Sequence, residues 1–417
     1  MQQTHALARL ARLAVGALLL VGGTADAAPI TLDQALDRAT RRPSIATAAA
    51  AAEAARHAAA QADSVASNPE LSVAIGPRFV AGERTVAYQL GIAQAFELGG
   101  KRAARRDVAA ARTALATAEQ REAAVGARLE AWRAFQAALI ARERVAMAEE
   151  AEQVAVQVEV ATRERKNVGF GTQLELNLTT AEVGRARHER LDGERRYASA
   201  VAALATAIGA GAEEALDPAG ALIVPPPLPT RTDELLVRAQ QARPAAALAR
   251  AEHQLATAEV RAARSAAVPD LSLGVSYGYE RDPDATAQTL LGTASIGLPI
   301  FQRNQGARRA ARSLARRADL VLASTTTEIQ REVRVALTGY KLAREAVLGF
   351  NTEVNERLHE NLELARASYT SGKVDYFQFN VVRRELLASR SAYLDAFEET
   401  VDAWAAVQHA VGGEVTP

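Results

Sequence analysis

No cysteine occurs among the 417 residues. That excludes disulfides, thiolate metal sites and cysteine nucleophiles, and no acylated N-terminal cysteine is expected. Aromatic residues make up only 5% although hydrophobic residues reach 49%, so much of the apolar content is alanine, the best helix former. An excess of charge of either sign is also missing. The 49 basic and 49 acidic side chains balance, which gives no reason to expect nucleic acid or another polyanion as partner. Beyond the N-terminal segment no run approaches 18 uninterrupted apolar residues, so no transmembrane helix is expected. The histidines show no His-x-x-x-His spacing, and no nucleophile motif or phosphate-binding glycine loop is found. Neither a metal site, a cofactor nor an enzyme is expected.

What is present begins with His5, Arg9 and Arg12, the apolar run Leu13 to Val21, and Ala25-Asp26-Ala27. A basic start, a short apolar core and a small-x-small end read as a secretory signal peptide over 1–27, with the mature chain beginning near Ala28 outside the cytoplasm.

Two stretches alternate with period two. Leu271, Leu273, Val275, Tyr277 and Tyr279 alternate with small or polar residues, and after a polar loop Leu290, Gly292, Ala294, Ile296, Leu298 and Ile300 do the same. Each strand has about the ten residues needed to cross a bilayer at a tilt. A matching hairpin occurs earlier, with Leu71, Val73 and Ile75 leading in and Val86, Tyr88, Leu90 and Ile92 returning. Four strands cannot close a membrane barrel, which needs about eight at least. Either the strands are soluble or several chains pool them, because open edges in lipid leave backbone groups unpaired.

The rest reads as helix, and it reads twice. Thr31 to Ala66 is expected as one helix, with Thr31 and Gln34 forming a capping box. Val125, Leu129, Trp132, Gln136 and Leu139 step by four and three, a coiled-coil seam. Ile329, Val333, Ala336, Tyr340, Ala343, Val347, Phe350 and Val354 keep the same rhythm. Pro69-Glu70-Leu71-Ser72 matches Pro269-Asp270-Leu271-Ser272, Arg42-Pro43 matches Arg243-Pro244, and Gly169 matches Gly372. The expected organisation is therefore a first repeat over 28–212, a Pro-rich linker over 213–231 and a second repeat over 232–417. The first repeat comprises a helix, a hairpin over 71–98, a long helix over 101–168 and a returning helix over 174–208. The second comprises a helix, a hairpin over 271–301, a long helix over 304–370 and a returning helix over 374–411. At 1.5 Å per residue the long helices reach about 100 Å, so the hairpins lie at one end and the helix reversals at the other. Three chains would pool twelve strands above a cylinder of coiled coils, which is a conduit.

At this point the sequence resembles the TolC-type outer-membrane factors over nearly the whole mature chain, on its tandem halves, the hairpin in each and the turn Tyr369-Thr370-Ser371-Gly372. Gln94-Ala95-Phe96-Glu97-Leu98-Gly99-Gly100-Lys101-Arg102 and Leu298-Pro299-Ile300-Phe301-Gln302-Arg303-Asn304-Gln305-Gly306 are similar to the CzcC-like heavy-metal branch. The resemblance implies a mainly α fold with membrane β-hairpins: a homotrimer with a 12-stranded outer-membrane barrel, four strands per chain, continued by a periplasmic helical barrel. It implies a passive exit duct that docks on a periplasmic adaptor and an inner-membrane RND pump. Its cargo would be cobalt-, zinc- or cadmium-type cations. Drug efflux or type I secretion through the same duct, and a soluble periplasmic coiled-coil scaffold, are the alternatives.

The resemblance also implies a periplasmic gate at the helix reversals. Glu175, Tyr369, Lys373 and Asp375 are the polar residues able to form a latch there, and Gln378 and Val381 fall where relatives carry acidic rings. Glu175 and Asp375 are expected to face the pore mouth, with Lys373 and Tyr369 tying neighbouring reversals together. Lys101, Arg102, Arg105 and Arg106 crowd the start of the first long helix, as Arg303, Arg308 and Arg309 crowd the second. Positive charge there opposes the helix dipole, so these residues are expected to meet outer-membrane lipid headgroups or neighbouring subunits.

Overall fold

The computed structural model describes residues 28–64, 67–80, 83–211, 213–228, 232–281, 285–350 and 352–413. The expected signal peptide lies outside them. Strand β1 (Ala28–Ile30) leads into α1 (Leu32–Thr40), where Thr31 and Gln34 form the expected capping box. The helix does not run on to residue 66. Arg42 turns extended, and α2 (Pro43–Ala62) starts afresh, because Pro43 lacks the N–H an uninterrupted helix would need and suits a first helical position.

Hairpin β2 (Glu70–Val80) and β3 (Glu83–Phe96) leads to α3 (Lys101–Asn167), 67 residues or about 100 Å long. After α4 (Gln173–Ile208) comes β4 (Leu216–Pro218). The second half continues with α5 (Thr232–Ala242), α6 (Pro244–Ser265), β5 (Leu271–Arg281) and β6 (Thr286–Ile296). It closes with α7 (Gln305–Gly349), α8 (Thr352–Thr370) and α9 (Tyr376–Val411). The return strands thus stop at residues 96 and 296 rather than 98 and 301. The expected single helix over 304–370 is instead two. Phe350 leaves the helical region (φ −93°, ψ 68°) directly after Gly349, whose missing side chain weakens the ladder, and its ring lies edge-on against Tyr393.

The four long strands form one antiparallel sheet in the order β2-β3-β5-β6, leaving β2 and β6 as open edges. Register fixes its two faces. Val73, Leu90, Tyr277 and Leu290 share one row, Ile75, Tyr88 and Tyr279 the next, so one face is apolar and exposed. The opposite face carries Ser72, Gly91 and Ser276 in one row, with Ala93, Gly274 and Thr293 in the next. Arg78 and Glu280 pair on this polar face near the hairpin tips.

Below the sheet α3 packs between α2 and α6, and α6 carries α7. The main core sits at mid-height, where Trp132, Phe135 and Leu139 of α3 meet Tyr340 of α7 and Phe397 and Trp404 of α9. The linker is not free chain. Leu216 pairs with Ala28 in a two-stranded parallel sheet, and Leu222, Val224 and Leu228 pack on the core. Its prolines lack N–H groups, so its carbonyls need outside donors. Arg142 donates to Pro218 and Gly220 at 2.7 Å, and Tyr340 Oη reaches the carbonyls of Pro225 and Pro226 at 2.8 Å. Burial pushes the Tyr340 phenol up to about 12, which keeps it a donor.

Candidate functional site at the helix reversals

Both reversals are built the same way. In the first, Gly169 takes the left-handed conformation (φ 85°), its N–H bonds Lys166 O at 3.0 Å, and Phe170 N bonds Arg165 O at 2.8 Å. In the second, Gly372 (φ 75°) bonds Tyr369 O at 3.0 Å and Lys373 N bonds Ser368 O at 2.9 Å. This doubly bonded stop favours glycine, which takes the left-handed conformation without a Cβ penalty. Three residues later each chain restarts with a capping box. Thr172 Oγ1 accepts from Glu175 N at 3.1 Å while Glu175 Oε2 accepts from Thr172 N at 3.0 Å. Asp375 Oδ1 accepts from Gln378 N at 2.8 Å, and Gln378 Oε1 accepts from Asp375 N at 3.2 Å. Three of the sequence-predicted residues, Glu175, Asp375 and Gln378, therefore serve as helix caps. Each capping carboxylate uses one of its two oxygens for the cap.

Tyr369 is elsewhere. It is 1% exposed and sits inside the protomer between α8 and α3. Its hydroxyl lies 2.6 Å from Thr162 Oγ1, and Thr162 in turn donates to Val158 O at 2.7 Å. A hydroxyl has one proton, so Tyr369 is the donor of the bond between them. The Arg165 guanidinium stands 5.1 Å from the centre of the Tyr369 ring and also donates to Tyr369 O at 3.2 Å. Phe379 stacks on the same ring at 5.5 Å. Tyr369 thus ties the end of the second long arm to the end of the first, while Lys373 stays exposed on the turn itself.

One feature of this end escaped sequence reasoning. Arg383 of α9, 4% exposed, pairs with the buried Glu182 of α4, which also holds Arg185. Burial pulls the Arg383 guanidinium down from its usual value and pushes the nearby Tyr376 phenol up. The signal was available: Tyr376, Phe379, Arg383 and Leu386 step by three and four, so an arginine stands on an otherwise apolar seam.

At the opposite end the first basic cluster is occupied within the chain. Lys101 pairs with Asp270 at 2.8 Å, Arg102 and Arg106 both meet Asp63, and Arg105 pairs with Glu97 while donating to Ser64 O at 2.9 Å. In the second cluster Arg303 Nε donates to Pro299 O at 3.1 Å and Arg309 Nε to Gln305 O at 3.4 Å. Among the described residues no group of His, Asp and Glu is arranged to hold a metal ion, and no helix is long and apolar enough to cross a membrane.

An open sheet, apolar on one face and polar on the other, stands on helices about 100 Å long that end in paired reversals. That combination defines the protomer of a membrane channel with a long helical extension. The chain belongs to the outer membrane efflux protein family, whose sequence profile matches residues 32–210 and 235–413, one span in each repeat. It is therefore an outer-membrane protein extending into the periplasm, with the TolC-type fold. It is similar to the cobalt-zinc-cadmium resistance protein CzcC of Cupriavidus metallidurans, with 27% identity over 386 residues covering 93% of this chain and 91% of that protein. Among solved structures it is similar to a membrane protein from Pseudomonas aeruginosa (TM-score 0.75, 21% identity, 91% of this chain and 93% of that one). It is likewise similar to the outer membrane protein VceC from Vibrio cholerae (TM-score 0.72, 20% identity, 92% of this chain and 97% of that one).

Proposed function

We propose that this protein is the outer-membrane duct of a tripartite efflux system for heavy-metal cations of the cobalt, zinc and cadmium type. It works as a homotrimer, with a periplasmic adaptor and an inner-membrane RND pump. The observation that carries the assembly is the four-stranded sheet with two open edges. In lipid each unpaired backbone group costs several kcal/mol, and three copies give twelve strands, an even number inside the range of known barrels. The likeness to CzcC supports the cargo. The duct needs no resident metal ligands, because it moves the ion rather than holding it.

In this reading the reversals are the periplasmic gate. The free oxygens of Glu175 and Asp375 border the mouth, Tyr369 holds the two arms of one protomer together, and Lys373 reaches the next. Val168, Phe170 and Leu174 are exposed at the first reversal and Phe377 at the second, an apolar end surface suited to an adaptor. The test is deletion of the gene in its host. Sensitivity to cobalt, zinc or cadmium salts should rise and be restored by the parent chain. Unchanged metal tolerance with raised drug sensitivity would move the cargo to the drug-efflux alternative.

A further inference from the structure

The two repeats differ just beyond the ends of their return strands. In the first, Gly99 and Gly100 come directly after Leu98, and the cations beyond them are neutralised by Asp63, Glu97 and Asp270. In the second, three apolar side chains project past the end of β6: Leu298 is 74% exposed, Ile300 61% and Phe301 88%. Behind them stand Arg303, Arg308, Arg309, Arg312, Arg316 and Arg317, and among the described residues none of these pairs with a carboxylate. The first turn of α7 contains no acidic residue, and its cap is Asn304 in the left-handed conformation without a side-chain cap bond. Clustered positive charge at that helix end is unfavourable for the isolated chain, and an external counter-charge would relieve it.

Depth selects the source. The polar headgroup layer adds roughly 5–7 Å on each side of the hydrocarbon core. Arg303 lies close behind the last strand residue, and Arg312 lies about 10 Å down the helix from Gln305 at 1.5 Å per residue. Arginine side chains reach upward from such depths to the phosphate layer. Arg308 and Arg309 lie between these two depths, whereas Arg316 and Arg317, about 16–18 Å down the helix, lie beyond one Debye length of it, ~8 Å at physiological salt.

We propose that the segment from Leu298 to Arg312 is an anchoring site for anionic glycerophospholipid of the inner leaflet. Ile300 and Phe301 enter the acyl region, and Arg303, Arg309 and Arg312 engage the headgroup phosphate. The first-repeat cluster is instead an internal clamp that binds no lipid. This assignment rests on the helices being on the periplasmic side of the outer membrane.

The test titrates phosphatidylglycerol into the full chain in a neutral detergent and reads bound lipid by native mass spectrometry. The parent should bind phosphatidylglycerol in clear preference to phosphatidylcholine, and millimolar inorganic phosphate should not compete. Combined Arg303→Ala, Arg309→Ala and Arg312→Ala should weaken that binding on the order of 100-fold. Arg102→Ala should leave it unchanged. Phe301→Ser should weaken both lipids alike. The proposal is overturned if the triple variant keeps the parent's preference or if phosphatidylcholine binds as tightly. Competition by inorganic phosphate overturns it in favour of a free-phosphate site. Loss by the triple variant of an oligomer that the parent keeps in lipid-free detergent overturns it in favour of carboxylates on a neighbouring protomer. Loss of lipid preference would leave metal resistance as the separate measure of the duct, and loss of metal resistance would leave lipid binding as read.

Discussion

The Tyr369 hydroxyl donates to Thr162 Oγ1 across 2.6 Å, joining two residues 207 positions apart in the chain. With the Arg165 bond to Tyr369 O, it joins the second repeat to the first beside the reversals. Tyr369→Phe keeps the ring, its stack on Phe379 and the Arg165 contact, and removes only the donor. The expected loss is about 1 kcal/mol of stability. If the bond restrains the gate, single-channel recordings should show a raised resting conductance; a resting conductance equal to the parent's would count against the latch.

Asp375 and Glu175 test whether a cap can also be a charged rim. Asparagine caps a helix about as well as aspartate, so Asp375→Asn should change stability by only a few tenths of a kcal/mol. Its reversal potential in a potassium chloride gradient should nevertheless shift toward weaker cation preference. An unchanged reversal potential would confine Asp375 to capping.

For the Glu182–Arg383 pair, geometry predicts strong non-additivity. Removing one partner by Glu182→Leu strands the buried Arg383 guanidinium and should cost about 3–5 kcal/mol, whereas Arg383→Leu leaves Glu182 its second partner Arg185 and should cost less. Glu182→Leu with Arg383→Leu should recover most of that, since an apolar pair at a coiled-coil seam is often neutral or better. Chemical denaturation of the two singles and the double measures the coupling; additive losses would mean the two charges do not stabilise each other.

On the polar face of the sheet, a Cβ at Gly274 would lie 2.8 Å from Thr293 Oγ1 and 3.0 Å from Ile92 O. The backbone oxygen cannot yield as a flexible side chain would. Gly274→Val should therefore cost about 1–3 kcal/mol by overpacking and reduce the yield of assembled protein in the outer membrane. Gly292, where a Cβ would meet nothing within 4 Å, is the control, and Gly292→Ala should assemble as the parent does.

Much of this architecture is legible in the residue order because it rests on short-range rules. Period-two alternation marks the four long strands, and the glycine stops followed by Thr172 and Asp375 mark both reversals. The missing parts depend on distant partners. Ala28 to Ile30 becomes a strand only because Leu216 to Pro218 lies alongside, and nothing local announces that. The break at Phe350 is hidden because the three-four rhythm continues through Val347 and Phe350 without a proline. The break at Pro43 was readable, since the same Arg-Pro pair opens α6. At the candidate site the polar turn residues were visible, but not which ones face inward. Tyr369 is decided by Thr162, Arg165 and Phe379, none of which its own neighbours in sequence reveal.

The two unpaired rims, β2 and β6, also set a rule for inheritance. In the proposed trimer, a chain that could dock through one rim but not the other would leave a gap in the ring it entered, spoiling the good copies beside it. Alleles that damage only one rim should therefore be dominant over a normal copy in the same cell. Alleles that ruin the mid-height core, which never reach a ring at all, should be recessive.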